Sequence, residues 1–244
     1  MIEPCPKPES VSADDGRPLS GQGAWILPLA RYGLREIAIL TIAAAVLGSL
    51  AAAFWWPGAI PVVVVWLVLL LFFRDPPRRV PQDAWAWVSP ADGTVTDITA
   101  IAHEESLAGP AVRVGIFLSV FSVHLNRSPC AGVVRHVEYR RGAFHDARAA
   151  ESSTENESNT IVLDGGPVLG RVMVKQIAGL IARRIVCAAK IGDRLAAGQR
   201  YGMIKFGSRT ELTLARPDEV EFCVRVGDSV RAGATIVARR RKGG

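Results

Sequence analysis

The sequence predicts a mainly β protein that begins with an N-terminal membrane helical hairpin. Two runs without charged residues, 37–56 and 59–73, have the apolar composition of membrane helices. Beyond residue 80 the chain consists of short Val/Ile-rich runs separated by Gly, Asp and Pro, which is typical of strands. We therefore expect a polar, largely disordered tail over 1–33, a hydrophobic membrane hairpin over 34–73 and a β-sandwich-rich domain over 74–244.

The lengths of the two apolar runs predict the hairpin. The first run is long enough for a helix that crosses a bilayer, which needs about 20 apolar residues. Trp55, Trp56, Pro57 and Gly58 then end the helix. The second run would form a helix only about 22 Å long, shorter than a hydrocarbon core of roughly 30 Å. The pair either spans the bilayer with a mismatch or enters it as a re-entrant hairpin.

Two other interpretations of these runs stay open. A signal peptide could end near residues 51–53, which are all alanine. The long polar tail before the first run and the second apolar run after it disfavour a signal peptide. A buried pair of core helices is the other alternative, which the unbroken apolarity of both runs disfavours.

Basic residues orient the hairpin. Arg31 and Arg35 precede it, Arg74, Arg78 and Arg79 follow it, and the connecting turn carries no charge. The positive-inside rule therefore places both ends, and the domain that follows, on the cytoplasmic side. The net charge is +6, and without a nucleic-acid motif this balance indicates an anionic membrane surface as a partner.

The cysteine pattern predicts neither a metal site nor a disulfide framework. The chain has no C-x-x-C pair and no Cys/His cluster, which fits a domain in the reducing cytoplasm. The cysteines are Cys5, Cys130, Cys187 and Cys223.

A short repeat lies among the predicted strands. Residues 191–198 (IGDRLAAG) match residues 226–233 (VGDSVRAG). The pattern resembles the turn–strand–turn element of biotinyl and lipoyl carrier domains, and its glycines suit turns with positive φ. In those carriers the modified lysine follows this element at a set spacing, and the same spacing from Gly198 ends at Ser208. We therefore expect Ser208 at an exposed hairpin tip. The predicted strands are 93–96, 112–117, 132–137, 160–163 and 172–174, with 178–187 either helix or strand.

The dipeptide Gly207-Ser208 is the first candidate for chemistry. A lone Gly-Ser pair is most often a turn. Self-cleaving pyruvoyl enzymes use the same dipeptide: the serine hydroxyl attacks the preceding carbonyl, the amide becomes an ester, and elimination followed by hydrolysis leaves a pyruvoyl group. The glycine permits the strained backbone that this attack needs.

Asp92 and His124 are the candidates that would assist such an attack. Asp92 precedes Gly93 and a β-branched run, which is also an ordinary hairpin turn. Its other interpretation is a carboxylate that orients a histidine base. His124 lies in an apolar stretch, whereas His103, His136 and His145 lie in polar or mixed surroundings. A buried histidine without a catalytic role and a base tuned near neutral pH are both open for His124.

Five segments together carry a family resemblance. In chain order they are 72–76 (FFRDP), 90–93 (PADG), 124–129 (HLNRSP), 156–157 (NE) and 206–208 (FGS). With these segments the chain resembles phosphatidylserine decarboxylase proenzymes of the short bacterial and archaeal type. The resemblance implies cleavage between Gly207 and Ser208 into a β chain, 1–207, and an α chain, 208–244, in which Ser208 becomes the covalent pyruvoyl cofactor.

The resemblance also implies a reaction and its partners. Phosphatidylserine would be decarboxylated to phosphatidylethanolamine at the membrane surface, with Ser208, His124 and Asp92 as catalytic residues and no metal. Expected partners are phosphatidylserine, membrane lipid, the α and β chains of the same precursor, no nucleic acid, and in one reading a second copy in a homo-oligomer. Because Ser208 lies far along the chain from the hairpin, we expect a chain that starts near Arg74 to cleave itself, with the hairpin acting as a tether.

Two positions depart from the family pattern. Longer relatives have a second histidine where this chain has Arg127, and the family's Asn-Glu-Arg is here Asn156-Glu157-Ser158. Two other functions compete with the one implied. The chain could be a non-enzymatic, membrane-anchored lipoyl-like adaptor or carrier domain, or a pyruvoyl decarboxylase of another amine-bearing substrate, which would have no use for the anchor.

Overall fold

The structure is a computed structural model that describes residues 29–149, 151–180, 184–205 and 207–241. The predictions for residues 1–28, for Cys5 and for Phe206 lie outside the described residues. The described chain starts before the predicted hairpin, at Leu29, which forms a bridge with Arg74. Ala30 beside it is buried, and its N–H donates to the carbonyl of Phe73 over 2.7 Å.

Two apolar helices form the N-terminal hairpin. Helix α1, Leu34–Phe54, and helix α2, Ala59–Phe72, are joined by a 3-10 turn, Trp56–Gly58, and pack against each other. One helix, Arg31–Phe54, is long and apolar enough to cross a membrane by length and composition, and its apolar window is 0% buried. Most side chains of both helices therefore face outward, as they would toward lipid. At 1.5 Å per residue α2 is only about 21 Å long, so it is shorter than α1 and shorter than a hydrocarbon core of roughly 30 Å.

The rest of the described chain is mainly β, as predicted. All five predicted strand runs form strands, and the ambiguous segment 178–187 ends in a strand. Two four-residue helices, α3 (Ser152–Glu155) and α4 (Gly166–Leu169), interrupt the strands. The strands are β1 Ala86–Val88, β2 Gly93–Glu104, β3 Gly109–Leu118, β4 Leu125–Arg127, β5 Gly132–Arg140, β6 Ser158–Asp164, β7 Arg171–Ile177, β8 Ile185–Cys187, β9 Arg194–Leu195, β10 Arg200–Ile204, β11 Ser208–Ala215, β12 Val220–Phe222, β13 Ser229–Val230 and β14 Ile236–Arg240.

The strands form one large sheet and two small ones. The eight-stranded sheet has the order β13-β2-β3-β11-β7-β6-β5-β9, and the three-stranded sheets have the orders β1-β14-β12 and β4-β10-β8. The main apolar core includes Trp87 and Tyr201 from the small sheets and Ile116, Leu163 and Leu212 from the large one. Strand β11 is central, paired with β3 on one side and β7 on the other, and all eight of its residues are buried.

The sequence repeat is also a structural repeat. Gly192 and Gly227 have φ of 93° and 96°, which the absence of a Cβ permits. In each turn an aspartate accepts a backbone N–H over 2.8 Å, from Lys190 to Asp193 in one copy and from Arg225 to Asp228 in the other. The two copies therefore build the same turn with the same bonds.

One prediction drawn from this repeat is wrong. Ser208 is 0% exposed and is the first residue of the central strand β11, so it does not lie at an exposed hairpin tip. After Gly198 the chain enters β10, in a small sheet, and then passes directly into the middle of the large sheet. The spacing to the modified lysine of carrier domains therefore does not transfer to this fold.

Candidate active site

The Gly207-Ser208 peptide lies where the chain enters the central strand. The Oγ of Ser208 is buried and has no hydrogen-bond partner among the described residues. A buried hydroxyl normally finds a partner, and an exception needs an explanation such as a catalytic role. Gly207 has φ of 58°, in the left-handed region that favours glycine. The serine after this peptide bond thus has a hydroxyl without a partner among the described residues, and the residue before the bond is a glycine in the left-handed conformation.

Gly179 packs directly against this peptide. A Cβ added at Gly179 would clash with the carbonyl oxygen of Gly207, a backbone atom that cannot rotate away. Glycine at position 179 therefore lets the chain after β7 approach the bond that the sequence predicts to be cut. This close approach holds the Gly207 carbonyl from one side.

His124 is the buried histidine that the sequence analysis selects. It is 0% exposed, whereas His103, His136 and His145 are exposed. Its Nδ1 lies 2.9 Å from the carbonyl oxygen of Ser122. Because a carbonyl oxygen only accepts, Nδ1 carries the proton and Nε2 of the neutral ring is an acceptor. Nε2 is itself buried without a partner among the described residues.

The surroundings of His124 keep its ring neutral. The pKa of His124 is lowered to about 4, chiefly by burial; the hydrogen bond with the Ser122 carbonyl opposes this, and the nearby charge of Arg74 adds to it. The ring is therefore neutral at physiological pH and can accept a proton. Its backbone carbonyl accepts the N–H of Ile204 over 3.1 Å, which ties His124 to the end of β10, four residues before Ser208.

Asp92 does not contact His124. Its Oδ2 accepts from the Arg78 guanidinium over 2.6 Å, and its Oδ1 accepts the N–H of Ala232 over 2.8 Å. Burial raises the pKa of Asp92, while the Ala232 N–H and the Arg78 charge lower it. The direct Asp92–His124 hydrogen bond that a relay would use is not formed, because the Ser122 carbonyl occupies Nδ1. The catalytic role of Asp92 stays a prediction.

Arg127, which stands in place of the family's second histidine, is bound to other groups. Its guanidinium donates to Asp75 Oδ1 over 3.0 Å and to the Gly198 carbonyl over 3.2 Å. Arg200 lies 2.5 Å from the other oxygen of Asp75. Burial and the Arg200 charge lower the pKa of Arg127 to about 10, so it stays a cation at neutral pH. A permanent cation cannot act as the general base that a histidine would be.

A family model described as phosphatidylserine decarboxylase matches residues 67–238, from within α2 to within β14. This match covers more than half of the chain and includes every candidate residue above. The chain belongs to the phosphatidylserine decarboxylase family. The resemblance read from the five short segments is confirmed.

Curated relatives in this family support the assignment. A phosphatidylserine decarboxylase proenzyme of Rhodopirellula baltica is 45% identical over 218 residues, which is 89% of this chain and 90% of the relative. The proenzyme of Carboxydothermus hydrogenoformans is 44% identical over 87% of this chain and 97% of the relative. The proenzyme of Trichlorobacter lovleyi is 43% identical over 87% of this chain and 93% of the relative.

Sequence reasoning missed a buried amide network that the phosphatidylserine decarboxylase fold places beside Ser208. Asn126 Nδ2 donates to Thr210 Oγ1 over 3.0 Å, and Gln176 Nε2 donates to Asn126 Oδ1 over 2.9 Å. Asn126 follows His124 by two residues, and Thr210 follows Ser208 by two, so the bond between them links the two segments that carry the candidate catalytic residues. Its members lie far apart in sequence, and only their polar character within apolar strands could have indicated them.

Asn156 supports the wall behind Gly207. Its Nδ2 donates to the carbonyls of His145 and Ala178 over 2.9 and 2.8 Å, and its Oδ1 accepts the His145 N–H over 2.9 Å. Ala178 precedes Gly179, which touches the Gly207 carbonyl. The Asn-Glu segment of the phosphatidylserine decarboxylase resemblance thus acts through the backbone in this structure. Ser158, where the family has arginine, is buried at the start of β6.

Proposed function

We propose that this chain cleaves itself between Gly207 and Ser208 and then decarboxylates phosphatidylserine to phosphatidylethanolamine and CO2, using a pyruvoyl group formed from Ser208. The observation that carries the proposal is the pair of buried, unpartnered polar atoms, Ser208 Oγ and His124 Nε2, on neighbouring segments. One is a nucleophile with a proton to lose and the other an acceptor kept neutral by burial. Membership of the phosphatidylserine decarboxylase family supports the same reaction.

Self-cleavage would use the chain's own atoms. His124 Nε2 takes the proton of the Ser208 hydroxyl, and Oγ bonds to the carbonyl carbon of Gly207. The C–N bond then breaks, its nitrogen takes the proton back, and an ester joins the two residues. Removal of the Cα proton of residue 208 breaks the Cβ–Oγ bond and frees the Gly207 carboxylate. Water then displaces ammonia, and a ketone remains at the new N-terminus.

The residues around Ser208 fit a pyruvoyl group. The serine Oγ is unpartnered, so its removal on conversion leaves no broken hydrogen bond among the described residues. Gly179 has no side chain that would collide with the Gly207 carbonyl, the group that has to separate from residue 208 on cleavage. Such a group would supply an electron-withdrawing carbonyl that accepts the substrate amine and stabilises the charge left as CO2 departs. In this proposal His124 holds a proton and returns it to that carbon.

We also propose that the protein acts at a membrane, with the catalytic domain on the cytoplasmic side. Helix α1 supports this by its length, and the arginines at both ends of the hairpin support the orientation. The division would be a hairpin over 34–73 and a catalytic domain over 74–244 whose paired Gly-Asp elements are of the biotinyl and lipoyl carrier type. The apolar surface of α1 and α2 gives a lipid decarboxylase access to a substrate that stays in the bilayer.

A denaturing mass measurement tests the proposal. Wild-type protein should give two chains, the smaller being residues 208–244 with a mass of roughly 4 kDa from average residue mass. Ser208→Ala should stay a single chain and release no CO2 from phosphatidylserine vesicles, because no hydroxyl remains to attack. An intact wild-type chain that still converts the lipid would contradict the mechanism. A cleaved chain that leaves phosphatidylserine unchanged would favour another amine-bearing substrate.

A further inference from the structure

The base of the membrane hairpin contacts the candidate catalytic histidine. The ring of Phe72, the last residue of α2, lies 4.2 Å from the ring of His124 between centroids, at an angle of 34°. Phe73 packs edge-on against Phe72, and an apolar cluster joins both to Val123 and Met203 of the catalytic domain. One wall of the histidine's pocket is therefore part of the hairpin.

The other helix of the hairpin contacts the segment that would be cut. The ammonium of Lys205 lies 2.6 Å from Oε1 of Glu36, in the first turn of α1. Lys205 precedes Ser208 by three residues, and its side chain is only 7% exposed. Arg184, a more exposed cation, lies 3.7 Å from the same oxygen. Glu36 is thus the close partner of a buried cation beside the Gly207-Ser208 bond.

The segment that leaves the hairpin is fastened to the same site. Asp75 binds Arg127 and Arg200, and Arg78 binds Asp92. The hairpin and its exit therefore reach the surroundings of His124, of Asp92 and of the Gly207-Ser208 bond. A tether that served only to hold the enzyme at the bilayer would need none of these contacts.

We propose that the base of the hairpin is a working part of the self-cleavage site, in which Phe72 positions His124 and Glu36 positions the Gly207-Ser208 bond through Lys205. This inference rests on the proposed function. It replaces the expectation that a chain starting near Arg74 cleaves itself, because such a chain lacks both positioning residues. Maturation of the enzyme then depends on the hairpin being folded against the catalytic domain.

The physical reason lies in the cost of an unpaired buried cation. Without Glu36, the Lys205 ammonium has to move toward water to be solvated, because an unpaired buried charge is strongly unfavourable. Gly207, two residues on, holds a left-handed φ of 58°. Glycine adopts many conformations without steric cost, so neighbouring contacts have to select this one. Release of Lys205 therefore removes one of the restraints on the bond to be cut.

A charge-swap cycle on the full-length chain tests the Glu36 part. Precursors made by cell-free synthesis with lipid nanodiscs are sampled over time on denaturing gels. Glu36→Lys should slow cleavage about tenfold or more, equivalent to about 1.4 kcal/mol in the barrier. Adding Lys205→Glu should restore the rate to within about threefold, since the pair is reformed with reversed polarity. Arg35→Gln, an exposed neighbour on the same helix turn, should cleave like wild type.

The pH profile of cleavage tests the Phe72 part. His124 acts as a base only when neutral, so the acid limb of the rate reports its pKa. The groups facing it are the Ser122 carbonyl and the charged Arg74. Phe72→Ala admits water to the ring and should move the acid limb upward by about one pH unit or more, because desolvation is what lowers the pKa. Phe72→Leu should leave the acid limb of the rate at its wild-type pH. Phe121→Ala should do the same, because the Phe121 side chain is 81% exposed.

The outcomes separate this inference from the proposed function. An uncut wild-type chain would contradict the proposed function itself. A cleaved wild type in which Glu36→Lys and Phe72→Ala both match its rate and pH profile would overturn the role of the hairpin alone. If Phe72→Ala does not fold, the Glu36–Lys205 swap still decides, since failure of the double variant to recover would show that the pair has no positioning role.

Discussion

Burial of His124 makes the stability of the uncut precursor depend on pH. The ordinary histidine pKa is about 6.5, and burial lowers the pKa of His124 to about 4 in the folded chain. Between these values the unfolded chain binds a proton that the folded chain does not. The free energy of unfolding therefore falls as the pH drops from about 6.5 toward 4, and this loss levels off below the folded pKa.

The size of the effect follows from the two pKa values. The full shift corresponds to a loss of about 3 kcal/mol at pH 4, at about 1.4 kcal/mol per unit. At pH 5.0 the loss is about 2 kcal/mol, and at pH 7.5 it is about 0.1 kcal/mol or less. A typical domain has a free energy of unfolding of about 5–15 kcal/mol, so the change at pH 5.0 is large enough to measure.

Urea unfolding of two uncut chains isolates this contribution. Ser208→Ala alone is compared with Ser208→Ala combined with His124→Gln, in one detergent, at pH 7.5 and 5.0. Glutamine does not titrate, so the double variant should lose about 2 kcal/mol less on acidification. Groups such as Asp92 titrate in both chains, so their contributions to the change in the free energy of unfolding cancel when the two chains are compared. His136→Gln in the same background, which removes an exposed histidine, should change nothing. Equal pH sensitivity of the two chains would refute the assignment of a buried, neutral His124.

Three further predictions concern the surroundings of the bond. Asp92→Asn should slow self-cleavage about tenfold or more on denaturing gels, because a neutral amide weakens the ion pair that holds Arg78 of the hairpin exit at the site, and a wild-type rate would leave Asp92 as a turn residue. Gly179→Ala should slow cleavage about tenfold, because overpacking against the Gly207 carbonyl costs about 1–3 kcal/mol, whereas Gly109→Ala, in open space, should not. Asp75→Asn should lower the free energy of unfolding by about 3 kcal/mol in urea, because it removes the carboxylate that neutralises the buried Arg127, and an unchanged midpoint would contradict this.

The secondary structure could be predicted because its signals are local. Alternation of Val and Ile with turn residues marks each strand, and uncharged length marks each helix of the hairpin. The position of Ser208 could not be predicted in this way. Its burial depends on β11 pairing with β3 and β7, where Leu118 pairs with Ser208 and Ile177 pairs with the next residue, Arg209, and both partners are far away in sequence. A local analogy to carrier domains therefore gave the wrong surroundings for Ser208.

The sequence predicted which residues form the candidate site, but it did not predict the hydrogen-bond and ion-pair partners of those residues. The apolar neighbours of His124 predicted its burial, which the structure shows. They could not indicate that the backbone carbonyl of Ser122, two residues away, accepts the hydrogen bond of His124 Nδ1. Every residue has a backbone carbonyl, so the sequence does not mark this one. The pairing of Asp92 with Arg78 was equally hidden, because an arginine after a membrane helix is already explained by membrane topology. The role of Arg78 in membrane topology was sufficient to explain the residue, so nothing in the sequence indicated its ion pair with Asp92.

A second short repeat, 89–93 (SPADG) and 128–132 (SPCAG), provides a control for Asp92 within the same chain. Ser89 and Ser128 each begin an S-P-x-x-G turn, and each Oγ donates to the carbonyl two residues on, over 2.6 and 2.7 Å. At the position of Asp92 the second copy has Ala131.

The turn itself therefore does not require a carboxylate, and the half-buried one bound to Arg78 needs another reason to be there. The hairpin exit contacts the two copies differently, since Arg78 pairs with Asp92 of the first copy while Asp75 pairs with Arg127, the residue before the second. The segment that leaves the membrane hairpin therefore binds both copies, through a carboxylate in the first and through an arginine just before the second. We expect this pairing to hold the candidate catalytic residues Asp92 and His124 on either side of the same segment.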